Sequence, residues 1–252
     1  TRVAFDFPQD LLGENSLGMA VTPGGDKLVV RSATTVRILA RDMSSVSSFE
    51  LLNGHGEIAA SEQFLYIITG FNEVRRLTHD GTEFASYEDQ DKLISRPVLG
   101  PGGLLFCVLF ADTDSEQDEI IALDAQTLQP RHRFGLSLLD FACGMVVVGE
   151  ELFVCDRNND RLQVFSLAGE HRRSITGEWE RPEALCFVKD RLYLVEEGDT
   201  NYTVEEGEVV YPLGDRRIFV LSLQGDTLQV YTHPDEGHAF FGGTPYYFDG
   251  KL

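Results

Sequence analysis

Three side chains of metal-binding type are spread widely along the chain: His55, Asp140 and His238. Two imidazoles and a carboxylate brought to one point can hold zinc or calcium and leave a coordination position open, the arrangement that hydrolytic and lyase chemistry uses. A second group suits recognition. Arg96 and Arg181 each stand directly before a proline, where a guanidinium can receive an anion or pair with the acids that abound nearby. Arg157 and Asn158 lie in the polar stretch CDRNNDRLQVF. Trp179, the single tryptophan, sits between two glutamates, and an exposed indole there would anchor a partner. Tyr202 and Tyr211 belong to the acidic stretch EEGDTNYTVEEGEVVYPLGD, which is too apolar for a pure spacer. No GxSxG, phosphate-loop, GxGxxG or kinase signature is present. The four cysteines (107, 143, 155 and 186) all lie in apolar runs without CxxC or zinc spacing, and read as buried thiols packing like small hydrophobes.

What positions these residues is a repeat. Gly144–Val148, a turn, then Leu152–Val154 matches Ala184–Val188, a turn, then Leu192–Leu194 without a gap, and Glu57–Ser61 leading to Leu65–Ile67 matches both. Each pair reads as a β-hairpin. A third apolar strand follows at Val36–Leu39, Val74–Leu77, Ile120–Leu123, Leu162–Phe165 and Ile218–Leu221, and a more polar fourth closes the unit, as in Glu83–Tyr87 or Thr227–Tyr231. Four short antiparallel strands recurring about every 40 residues are the mark of a β-propeller.

The expected fold is therefore all-β, one domain over residues 1–252, a six-bladed propeller of four-stranded antiparallel blades. The expected blades span about 17–54, 55–95, 96–140, 141–180 and 181–243. The sixth is split between residues 1–16 and 244–252, so that the two termini close the ring; 252 residues divided by six blades gives a consistent period. In such a ring His55, Asp140 and His238 would each precede the first strand of alternate blades, which is what brings the metal reading into play.

Asp156 to Phe165 resembles the core of the NHL repeat: a strand ending in Asp, a short turn with Asn, then Arg, an aliphatic residue, a polar residue, a hydrophobe and Phe. Asp156 and Arg161 lie at opposite ends of this turn and can pair across it. The resemblance implies a non-catalytic propeller that binds protein or peptide, in some relatives as the substrate-recruiting part of a ubiquitin ligase. Other relatives are peptide-amidating lyases with histidine zinc ligands. The alternative is therefore a metal-dependent lyase or lactonase-like hydrolase with one zinc or calcium at the central channel, although Asp140 replaces a histidine and the HxHR-like context is missing here.

Charge decides among partner classes. A formal net charge of −20 opposes nucleic acid, whose affinity rests on Lys and Arg displacing counterions, and opposes anionic membranes. Two acidic insertions, Ala111–Glu119 and Glu196–Asp215, would fall on one propeller face and suit solvated loops or a basic partner; Asn201-Tyr202-Thr203 within the second is a glycosylation sequon that matters only in a secreted protein. No apolar stretch approaches a membrane span. The opening residues TRVAFDFPQD show no signal peptide, and the chain lacks an initiator Met; the unpaired cysteines point to a reducing, intracellular setting. The expectation is a monomeric protein-binding or peptide-binding module without a cofactor, with the metal-dependent enzyme kept as the alternative.

Overall fold

The computed structural model describes residues 16–32, 34–51, 57–111, 117–197, 203–205, 208–210 and 217–232. They form five four-stranded antiparallel sheets. The first holds β1 (Ser16–Val21), β2 (Lys27–Ser32), β3 (Thr35–Ala40) and β4 (Ser45–Glu50). The second holds β5 (Ile58–Ala60), β6 (Phe64–Thr69), β7 (Glu73–Thr78) and β8 (Glu83–Glu88). The third holds β9 (Leu93–Gly100), β10 (Leu104–Phe110), β11 (Asp118–Asp124) and β12 (Pro130–Leu139). The fourth holds β13 (Ala142–Val148), β14 (Glu151–Asp156), β15 (Arg161–Ser166) and β16 (His171–Thr176). The fifth holds β17 (Pro182–Val188), β18 (Arg191–Glu196), β21 (Ile218–Leu221) and β22 (Thr227–Tyr231), with the separate hairpin β19 (Thr203–Glu205) and β20 (Glu208–Val210) inserted between β18 and β21. Within each of the five, strand order follows the chain.

Two compact units divide the chain: Thr1–Phe134 with Tyr246–Leu252, and Gly135–Pro245, the boundary falling inside β12. In the first, one apolar cluster joins Ile38, Leu65 and Ile67 of the first two blades, and another joins Ile68, Leu105, Cys107 and Ile121 of the second and third. In the second unit Phe153, Cys155, Leu162, Leu185, Leu194 and Phe219 pack together between the fourth and fifth blades. The second strands of the first four blades are buried almost from end to end, as their continuous apolar runs require, while β4 and β8 alternate and are largely exposed. None of the cysteines is disulfide-bonded, and burial pushes the Cys107 thiol well above its ordinary value.

The six-bladed expectation is corrected: the protein has five blades. Dividing the length by six assumed blades of equal size, but the fifth runs from Pro182 to Tyr231 because it carries the β19–β20 insertion, and β12 is ten residues long. Ser16, assigned by sequence to the split sixth blade, opens β1 and pairs with Ser32. Residues 1–15 and 244–252, the rest of the expected split blade, lie outside the described residues.

A single structural device ties the loops of the fourth and fifth blades. Asp156, last residue of β14, accepts hydrogen bonds from the Asp140 N–H at 2.8 Å, Asn159 Nδ2 at 2.9 Å and Arg161 Nε at 2.7 Å. Arg161 Nη2 then donates to the Leu138 carbonyl at 3.1 Å. Glu196, last of β18, repeats the pattern. It accepts from the Glu180 N–H at 2.9 Å and from Arg217 Nε and Nη2, and Arg217 Nη2 donates to the Glu178 carbonyl at 3.0 Å. The same position carries weaker chemistry elsewhere: Thr69 donates to Glu73 at 2.7 Å in the second blade, and Ser32 Oγ accepts from the Thr35 N–H at 3.2 Å in the first. The pairing of Asp156 with Arg161 read from the sequence is thus present, and it is structural.

Candidate functional site: a charged platform on the fourth and fifth blades

The clasp around Asp156 fixes two neighbouring segments. Leu139–Ala142 is held from one side by the bond between the Asp140 N–H and Asp156. From the other, the Asp140 carbonyl accepts from the Asn158 N–H at 3.2 Å, and Asp140 Oδ1 accepts from Asn158 Nδ2 at 2.9 Å. Arg157–Asn159 form one 3-10 turn, closed by the left-handed Asp160, whose carboxylate in turn accepts from the Arg181 N–H at 2.6 Å. Arg157 and Arg181 converge on one carboxylate, Glu197; the Arg181 Nε distance is 3.0 Å. The Glu197 N–H closes the circuit by donating to the Arg181 carbonyl at 3.0 Å.

Between these groups sits Phe141. The residue is 47% exposed, the Arg157 guanidinium lies 4.7 Å from its ring centroid, and its backbone is left-handed at φ 55°. A bulky L-residue in that region is strained, so the surrounding bonds must hold it. Cation–π contact with Arg157 adds about 0.5–1 kcal/mol at such an exposed position. The outcome is a surface with one aromatic face, two arginines sharing one acid, and the side chains of Asp140 and Asp160 beside them.

Of the residues singled out by sequence, Arg157, Asn158, Arg181 and Asp140 come together here. Arg96 lies in the other unit, where its Nε is 3.0 Å from Glu57 Oε1 and its N–H donates to the same carboxylate. The match between Arg96-Pro97 and Arg181-Pro182 is not one of register. Arg181 immediately precedes β17, whereas Arg96 lies inside β9 beyond Ser95, which pairs with Val108. Both arginines have left-handed backbone.

Trp179 is corrected as a surface anchor: it is only 2% exposed and packs edge-on against Phe219 with centroids 5.8 Å apart. Gly177 makes this possible, since a Cβ there would fall 2.0 Å from the indole. Tyr202, Tyr211, His55 and His238 lie outside the described residues, and among the described residues no three His, Cys, Asp or Glu side chains gather as metal ligands. Sequence reasoning missed Phe141, hidden at the head of the apolar run FACGMVVV, and Glu197, forty residues from the Arg157 it pairs with.

In the first unit, Ser47, Thr78, His79 and Asp80 line a shallow open cleft. Burial, and then the charge of Lys27, lower the His79 pKa below its ordinary 6.5. Neutral His79 therefore contributes stability that is complete above pH 6.5 and is lost as pH falls from there toward the depressed folded value. Urea midpoints taken between about pH 8 and about pH 5.5 should fall less in His79→Gln than in the wild type; equal falls would refute this.

The five four-stranded blades define the fold class as a β-propeller. No family model and no curated protein matches the sequence. Solved structures do resemble it. BamB from Moraxella catarrhalis is 15% identical with a TM-score of 0.54, over 86% of this chain and 77% of that one. Hydrazine synthase from Kuenenia stuttgartiensis is 13% identical with a TM-score of 0.60, over 82% and 64%. The computationally designed Ika8 protein is 14% identical with a TM-score of 0.58, over 93% and 65%. The matched part is under two thirds of the last two chains. At such identities the likeness is one of fold. Among the described residues no helix is long and apolar enough to cross a membrane.

Proposed function

We propose that this chain is a non-catalytic, NHL-like propeller module that binds a protein or peptide through the platform of Phe141, Arg157, Asn158 and Arg181. The observation that carries the reading is Phe141: an exposed aromatic, held at φ 55° and stacked against Arg157, offers a partner an apolar face. The clasp of Asp156 and Arg161 supports the NHL likeness. The net charge of −20 favours a cationic partner segment over nucleic acid.

The test separates binding from folding. Phe141→Gly trades the cation–π contact for release of left-handed strain, so its Tm should stay within about 4 °C of the wild type. Partner retention from an extract of the native source, measured by quantitative mass spectrometry, should fall at least about tenfold. Undiminished retention by Phe141→Gly would refute the platform. Metal content of the purified protein checks the enzymatic alternative. We expect no stoichiometric zinc or calcium; one equivalent that disappears in His55→Ala/His238→Ala would replace the binding reading with a metal-dependent one.

A further inference from the structure

Arg31 stands last but one in β2. The same place in β6, β10, β14 and β18 is held by Ile68, Leu109, Cys155 and Val195, every one of them buried and apolar. Arg31 is 0% exposed as well. Its Nη1 donates to the Ile68 carbonyl at 2.8 Å, which fixes the plane of the guanidinium. Its Nε and Nη2 have no hydrogen-bond partner among the described residues. Those two nitrogens are the side-on fork that takes both oxygens of a carboxylate. Arg217 holds both oxygens of Glu196 in this fork, and Arg161 gives its Nε to Asp156 and its Nη2 to the Leu138 carbonyl; Arg31 alone of these three has no acceptor there among the described residues. Burial draws its pKa down to about 10, and among the described residues no neighbouring negative charge works the other way. An isolated buried cation is strongly destabilising, and it stands where four sister strands show that an apolar residue suffices.

We propose that the Nε–Nη2 fork of Arg31 is a receptor for a single carboxylate. One guanidinium neutralises one charge, so the ligand is monovalent at this point, and the fork selects a planar group over a spherical anion. Two sources share this chemistry. One is the chain itself: β1 begins at Ser16, paired with Ser32 beside Arg31, and the sequence before Ser16 carries Asp6, Asp10 and Glu14. The other is a free small carboxylate.

Thermal unfolding of the full chain distinguishes them. Arg31→Met removes the fork and keeps the volume, and Arg31→Lys keeps the charge without the fork and serves where Arg31→Met fails to fold. If the source is free, sodium acetate should raise the wild-type Tm by about 3 °C over sodium chloride at equal ionic strength, and leave the Arg31 variants unmoved. If the source is the chain, Asp6→Asn/Asp10→Asn/Glu14→Gln should lower Tm by a similar amount in the wild type and not in the Arg31 variants. The proposal is overturned if acetate and the triple change each act equally, or not at all, on wild type and Arg31 variants.

Discussion

Replacing Asp156 with alanine is expected to lower stability by about 3 kcal/mol, seen as a fall in Tm of roughly 6–12 °C. The carboxylate is fully buried and collects the Asp140 N–H, Asn159 Nδ2 and Arg161 Nε, with Gln163 Nε2 at 3.4 Å. Truncation leaves these donors without an acceptor in a place that water does not reach. Arg161 is 31% exposed and can turn to solvent, so the loss falls mainly on the Asp140 N–H and the buried Gln163. Asp156→Asn keeps the shape but weakens the charge-assisted bonds, and should cost about half as much. Glu196→Ala removes the same device from the fifth blade and should match Asp156→Ala. A Tm for Asp156→Ala within about 2 °C of the wild type would show that the clasp is ornamental. Because the clasp orients Asp140 and the 157–160 turn, Asp156→Asn should also weaken partner retention while the chain remains folded.

Legibility followed distance along the chain. The hairpins of the fourth and fifth blades were plain because Val148 facing Glu151 and Val188 facing Arg191 set identical registers over a two-residue turn. Asp156 and Arg161 could be paired by eye, being five residues apart. Glu196 and Arg217 form the same pair, but the β19–β20 insertion separates them and no local pattern joins them. That insertion also upset the blade count, since a period is an average and one long blade distorts it. Trp179 was misread for a related reason. Its flanking glutamates suggested a surface loop, whereas the missing Cβ of Gly177 lets the ring turn inward against Phe219. Arg31 looked like an ordinary charged residue in KLVVRS; only the comparison across second strands shows that it occupies an apolar position. In the candidate platform the arginines were visible by type, but their common acid, Glu197, is brought to Arg157 by a contact between blades.

The contact between the fourth and fifth blades also sets the second large expectation: Gly144→Val should be more damaging than any surface change in the platform. Gly144 lies in β13, in the bulge between the pairs Ala142–Asp156 and Met145–Val154. A Cβ at this position would lie 2.7 Å from Ala184 Cα, 2.8 Å from the Leu185 nitrogen and 2.9 Å from the Glu183 carbonyl oxygen. All three are backbone atoms of the neighbouring sheet, so no rotamer change relieves the clash and β17 itself must shift. Gly144→Ala should therefore cost about 2–3 kcal/mol, and the larger β-branched valine more, enough to leave much of the chain unfolded at 37 °C given the margin of about 5–15 kcal/mol that domains have. Gly149, also in the fourth blade, provides the contrast. Its Cβ would meet nothing within 4 Å, and only its φ of +60° resists substitution, so Gly149→Ala should cost about 1–2 kcal/mol. Chemical denaturation of the three variants gives the ordering directly. If Gly144→Ala proves no worse than Gly149→Ala, the close approach of β13 to β17 is not a constraint on the sequence. If the expected order holds, the platform rests on a junction whose spacing one missing methyl group sets, and compensating small residues at position 184 should be sought only on the β17 side, where Ala184 already leaves little to remove.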